Sequence, residues 1–181
     1  MNNNNKPQVN NSVKISDAID KIILSIGHII MWANGVLILV IICQVILRYG
    51  FGKGLVVLEE LQWHLYALGI MFGASYALTL NSHIRVDIIH SRLSATIKSI
   101  LELFGIFFLL FPFVIIIFHQ SLDFVYESWR VNESSIAPMG LPFRWLIKAV
   151  IPITFAMIGL AGISRVIRII NSLKKGTING I

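Results

Sequence analysis

IILSIGHIIMWANGVLILVIICQVIL, residues 22–47, runs for 26 residues without one Asp, Glu, Lys or Arg. About 20 helical residues cross a hydrocarbon core of about 30 Å, so this stretch is long enough to span a bilayer. Three more charge-free runs follow, at 61–84 (24 residues), 103–122 (20) and 149–164 (16). The second and third also qualify by length. The fourth is short, but Arg144, Lys148 and Arg165 flank it, and their long stems can carry the charged heads to the interface. Pro142 suits the first helical turn of that span. Pro112 and Pro152 lie inside the third and fourth spans, where each removes a backbone donor and is expected to kink its helix.

The composition agrees. The chain has 181 residues, 56% of them hydrophobic and 13% charged, with a mean hydropathy of +0.78, whereas a soluble domain carries about 25% charged residues. A water-soluble globule of this composition would expose large apolar patches, which soluble monomers avoid. Cys43 is the only cysteine, which excludes an internal disulfide, a CxxC redox pair and a multi-cysteine metal site. The fold class is read as all-α, an integral membrane protein of four transmembrane helices at about 22–47, 58–82, 100–124 and 142–168. Residues 1–20 open on an Asn-rich tract that cannot bury enough apolar surface to offset its ordering, so they are expected to form a disordered tail. Residues 171–181 form a second tail. The first apolar run starts only after Lys21 and far exceeds a signal-peptide core, so it is expected to remain as a span.

Charge sets the expected orientation, because basic residues near span ends favour the cytoplasm. With both termini inside, Lys6, Lys14, Lys21, Arg85, Arg92, Lys98, Arg165, Arg168, Lys174 and Lys175 face the cytoplasm. Only Arg48, Lys53, Arg130, Arg144 and Lys148 face out. With the acids counted, the whole net charge of +6 falls on the inner side, so it is a topology signal and makes no case for nucleic-acid binding. Tyr49, Trp63, Tyr126, Trp129 and Trp145 would form an aromatic belt at the outer interface. The stretch 85–102 carries apolar residues at helical spacing and would lie on the inner surface or extend the third helix. The segment 123–144 is the outer stretch large enough to make a shaped surface, and Glu127, Arg130 and Glu133 are its docking candidates.

The four spans carry Asp, Glu, Lys and Arg only near their ends and none within the charge-free runs, whereas ion-moving proteins place such groups at mid-membrane. The polar residues within the spans are mostly His28, Asn34, Gln44, His64, Ser75, Thr79, His119, Gln120 and Thr154, for which interhelical hydrogen bonds are the expected role. Glu59 and Glu60 open the second helix, where the positive end of the helix dipole favours anions. Gly69, Gly73 and Ala77 form a small-residue face that lets another helix approach closely, and Gly159 and Gly162 leave a thinner groove on the fourth. His83, Asp87 and His90 share one helical face and read as a boundary ion-pair cluster, not a metal site. A rival reading takes His28/His83 and His64/His119 as axial pairs of a di-haem membrane anchor.

The run RYGFGKGLVVLEELQWHLYALGIMFGASYALTLNSHIRVDII, residues 48–89, resembles the small membrane subunit (DctQ-like, Q component) of tripartite ATP-independent periplasmic (TRAP) transporters. The matching features are Arg48 and Tyr49 closing the first helix, Glu59 and Glu60 opening the second, a Gly-Ala-rich helix with Gly73 and Ala74, and His83, Val86 and Asp87 in the following turn. ESSIAPMGLPFRWLIKAVIPI, residues 133–153, is similar to the segment before the family's last helix. The resemblance implies a multi-pass protein of the bacterial inner membrane, without catalytic, metal or substrate-binding residues and without a cofactor. It would be a scaffold for the large membrane (M) subunit in sodium-coupled uptake of an organic acid delivered by a periplasmic solute-binding protein. The expected partners are those two proteins and membrane lipid. Arg48, Tyr49, Glu59, Glu60, Gly69, Gly73, His83, Val86, Asp87 and Pro142 are the signature or interface candidates.

Overall fold

In hydrocarbon every backbone N–H and C=O must find its partner within the protein, which a helix achieves within one segment. The computed structural model describes residues 11–80 and 94–174, and its regular structure is helical with no strand among the described residues. Helix α1 is Asn11–Gly50 and α2 is Val56–Thr79. Helix α3 runs without a break through Ala95–Gly105, a π-helical segment Ile106–Leu110 and Phe111–Arg130, and α4 is Arg144–Lys174. Successive helices are antiparallel, so the start of α1 and the end of α4 meet at one end of the molecule. The loops 51–55 and 131–143 lie at the other.

Three segments, Val13–Gly50, Thr96–Arg130 and Arg144–Lys174, are long and apolar enough to cross a membrane. The expected second span, α2, has 24 residues, about 36 Å of helix. Gln62, His64, Ser75 and Thr79 dilute its apolar character. It lies along α1: Glu59 is beside Gln44, Gly69 faces Asn34, and the Tyr76 ring fills the space where a Gly27 side chain would stand. Helices α1, α2 and α4 pack on one another around Ile23, Phe72, Val150, Met157 and Ala161.

Helix α3 packs against α4. Pro112 has no N–H to give the carbonyl four residues back, and the preceding turn widens in response: the Phe111 N–H reaches Ile106 O, five residues back. The widened turn lies on the Gly159/Gly162 groove. A Cβ at Gly162 would stand 2.8 Å from Leu110 Cδ2 and 3.1 Å from Phe111 Cε1, and one at Gly159 would stand 3.3 Å from Val114 Cγ1. The expected kink at Pro112 is thus taken up as a π-helical turn, and α4 continues through Pro152.

Each helix extends beyond its apolar run at one or both ends, and residues 11–20, expected as part of a tail, are helical. From Asn11 onward the chain is helix; residues 1–10 lie outside the described residues. Polar contacts with the end of α4 hold these extra turns. The hydroxyls of Ser16 and Ser164 share a hydrogen bond at 2.6 Å, Ser164 Oγ donates to Asp20 Oδ1 at 2.5 Å, and Arg168 bridges Asp20 (2.5 Å) and Asp17 (2.7 Å). Arg165 holds Glu102 of α3 through two nitrogens, at 2.5 and 3.1 Å. Arg168→Ala leaves the Asp20 carboxylate, 16% exposed, without its cation. It is expected to destabilise the detergent-solubilised protein by about 2 kcal/mol and to open 11–20 to hydrogen exchange; unchanged protection there would show that the pair holds nothing.

Candidate functional site

The loop end gathers most of the residues singled out in the sequence. Glu59 and Glu60 sit in the first turns of α2, and being adjacent they point to different neighbours. Glu59 ties α2 to α1: Gln44 Nε2 donates to its Oε1 at 3.4 Å, and Arg48 Nη1 lies 3.5 Å from the same oxygen. Gln44 also accepts the Leu55 N–H at 3.3 Å, which satisfies the amide of an N-cap residue that lacks a capping side chain.

Glu60 turns toward the loop 131–143. Its Oε1 accepts the Ser135 hydroxyl and its Oε2 accepts the Leu141 N–H at 2.6 Å. The loop is also closed on itself, with Ser135 N–H donating to Leu141 O (3.1 Å), Gly140 N–H to Ala137 O (3.0 Å) and Arg144 N–H to Glu133 O (3.0 Å). Gly140 packs against this clamp. A Cβ there would stand 2.5 Å from Ser135 Oγ and 2.8 Å from Glu60 Oε1, so a hydrogen is all the site admits. The loop holds three non-glycine residues with positive φ, Asn132 (46°), Met139 (62°) and Phe143 (61°). Asn tolerates that region, whereas Met and Phe adopt it only when their surroundings impose it. The result is a fixed loop whose tip displays Ile136, 93% exposed, and Met139, 88% exposed.

Glu133 joins α3 to α4. Lys148 donates to its Oε2, Arg144 Nη1 lies 3.8 Å from its Oε1, and the Lys148 ammonium sits 3.9 Å above the Phe124 ring. The bond from Lys148 holds the Glu133 carboxyl below its ordinary value of 4.5. A lowered value means that its contribution to stability is complete above pH 4.5 and fades as pH falls through the folded value. Protease resistance of the 131–143 loop is therefore expected to be flat from pH 8 to 5 and to drop only below about 4.5; a loss centred between pH 7 and 6 would assign the loop's stability to another group.

The remaining candidates divide. Arg48, Glu59 and Glu60 share this cluster. Tyr49 is outside it and exposed. Gly69 meets Asn34, whereas Gly73 has nothing within 4 Å. Pro142 precedes α4 by two residues and is not in its first turn, because the positive φ of Phe143 bars helix there. Glu127 and Arg130 pair with each other on the surface at 2.6 Å, while Glu133 is engaged inward. His83, Val86 and Asp87 lie outside the described residues. Of the polar residues within the spans, several bond to their own helix and not across to a neighbour: His28 to Leu24 O, His64 to Glu60 O, Ser75 to Phe72 O and Thr79 to Ser75 O. His64 stands on α2, which packs on α1 and α4, and His119 stands on α3, which packs on α4. No group of three or more His, Cys, Asp or Glu side chains is placed to hold a metal among the described residues. Ser135 was not among the sequence candidates; it lies 75 residues from Glu60, and no local pattern signals the pair.

Residues 37–172 match the family described as tripartite ATP-independent periplasmic transporters, DctQ component. The chain belongs to this family. It is also 26% identical over 105 residues to a protein of Haemophilus influenzae described as a TRAP transporter small permease protein; the match covers 58% of this chain and 62% of that protein. The DctQ match takes in the whole loop-end cluster and stops short of Asp17 and Asp20, so the tie at the start of α1 lies outside the shared region. As a DctQ component carrying three helices apolar enough to cross a membrane, the protein is a multi-pass inner-membrane transporter component.

Proposed function

We propose that this chain is the small, non-catalytic permease subunit of a sodium-coupled, binding-protein-dependent transporter for an organic acid, and that it acts as a scaffold beside the large membrane subunit. One observation carries the reading: among the described residues the Asp, Glu, Lys and Arg side chains sit at the two ends of the helices. None occurs between Lys21 and Arg48, between Glu60 and Leu80, between Glu102 and Asp123, or between Lys148 and Arg165. Most of the acids at these ends are paired within the chain. Such a protein braces helices and leaves ion coupling and substrate binding to its partners. In this reading both termini are cytoplasmic and α2 crosses the membrane along α1, as its alignment from Gln44 to Gly27 supports. Arg48, Glu59 and Glu60 hold the outer ends of α1 and α2 and the clamped loop. The loop tip, with Glu127 and Arg130 beside it, faces the periplasmic solute-binding protein.

The test is co-purification. An affinity-tagged copy, solubilised from membranes that also express the large membrane subunit, should retain that subunit in stoichiometric amount. Recovery of this chain alone, with the large subunit present and folded in the same membranes, would end the scaffold reading.

A further inference from the structure

Hydrocarbon offers no hydrogen-bond partner, so a polar side chain turned outward at mid-depth marks a place that another protein covers. Helix α1 carries such a group. Asn34 lies 13 residues from Lys21 and 14 from Arg48, about 20 Å from either along the axis, at the centre of the span. Its side chain is exposed, and its carboxamide makes no hydrogen bond among the described residues. The carboxamide rests on Gly69 of α2, its Oδ1 2.6 Å from where a Cβ would stand. Beside it the surface is bare of side chains: Gly35 and, one turn further along α2, Gly73 have open space where a side chain would be. Toward the chain-end side, His28 is exposed, its Nδ1 bonded to Leu24 O at 2.8 Å and its ring edge-on to Tyr76 at 5.6 Å. The other outward face differs in kind. Between Glu102 and His119, α3 presents apolar side chains such as Phe108, Leu109 and Ile115, which lipid solvates without polar cost.

We infer that the seam between α1 and α2, centred on Asn34, receives one transmembrane helix of the large membrane subunit. That helix approaches closely over Gly35 and Gly73 and brings a hydrogen-bonding side chain to the Asn34 carboxamide at mid-membrane. The inference rests on the functional reading above and adds the face that the partner occupies. The α3 face is left to lipid.

Photo-cross-linking separates the faces. A photoreactive residue is placed at Met31 or Gly73 in the seam, or at Phe108 or Ile115 on α3, in membranes that hold the complete transporter. The seam positions should give an adduct with the combined mass of the two membrane subunits, and the α3 positions at least about fivefold less of it. Adducts from α3 alone, or an adduct with twice the mass of this chain, would overturn the proposal. Asn34→Leu should reduce the large subunit recovered by about threefold to tenfold, leave the unfolding midpoint of the isolated chain unlowered, and be largely rescued by Asn34→Gln. Full recovery with Asn34→Leu would also overturn it. Failure of the unmodified chain to co-purify with the large subunit defeats the functional reading and this one together, whereas co-purification with a silent seam defeats this one alone.

Discussion

Gly140→Ala is expected to release the 131–143 loop, although the change adds one methyl group. The added carbon would stand 2.5 Å from Ser135 Oγ and 2.8 Å from Glu60 Oε1, and it would also meet Ser135 Cβ. Ser135 cannot retreat, because its backbone N–H is bonded to Leu141 O and its hydroxyl to Glu60. Glu60 is fixed in turn on α2 and accepts the Leu141 N–H as well. Overpacking at a site that cannot give costs about 1–3 kcal/mol, here concentrated on one loop. Cleavage within 131–143 by an added protease should accelerate on the order of tenfold, as a locally opened segment does, while the helices stay intact by circular dichroism. Glu60→Ala should give the same cleavage pattern, and the double variant should be little worse than either single one, since both remove one clamp. Additive effects, or a Gly140→Ala loop as resistant as the parent, would show that the clamp does not hold the loop.

The second large effect is expected at Gly162. Helix α3 has α4 as its packing partner, and inside a bilayer no hydrophobic effect presses two apolar helices together, so close fit carries the contact. Gly162 gives that fit to the widened turn before Pro112, with Leu110 and Phe111 lying over it. Gly162→Leu should push the helices apart and cost about 3 kcal/mol, read as a lowered unfolding midpoint in mixed micelles. It should also break the approach of Arg165 to Glu102 at the chain-end side. Gly162→Ala should be much milder, because the nearest atom, Leu110 Cδ2, is the far end of a flexible side chain. Equal effects of Ala and Leu would mean that backbone freedom, and not space, explains this glycine.

The helices were legible because hydrocarbon tolerates no charge, and a run such as 22–47 announces itself by composition. Their ends were not legible from the same signal. The polar residues 11–20 look like a tail until Asp17, Asp20 and Ser16 meet Arg168 and Ser164, about 148 residues away. The same limit governs the candidate site. Glu60 stood out in the sequence as part of a carboxylate pair, but its partners Ser135 and Leu141 come from a loop that tertiary packing alone brings over α2. Glu133 reads as a docking residue because it is acidic and outside the spans; in the fold Lys148 and Arg144 take up its carboxylate. The Gly69–Gly73 spacing signals close packing, but not that Gly69 serves α1 while Gly73 stays open.

In the proposed function this chain braces a transporter and carries nothing across the membrane itself. Reconstituted uptake tests it most directly: proteoliposomes hold this chain, the large membrane subunit or both, with the solute-binding protein outside and an inward sodium gradient, and a panel of labelled C4-dicarboxylates, 2-oxo acids, lactate and sugar acids is supplied. Uptake is predicted only where both membrane subunits and the binding protein are present, and none from this chain alone. Sodium-driven uptake by vesicles that hold this chain as their only membrane protein, or full uptake by the large subunit without it, would contradict the account.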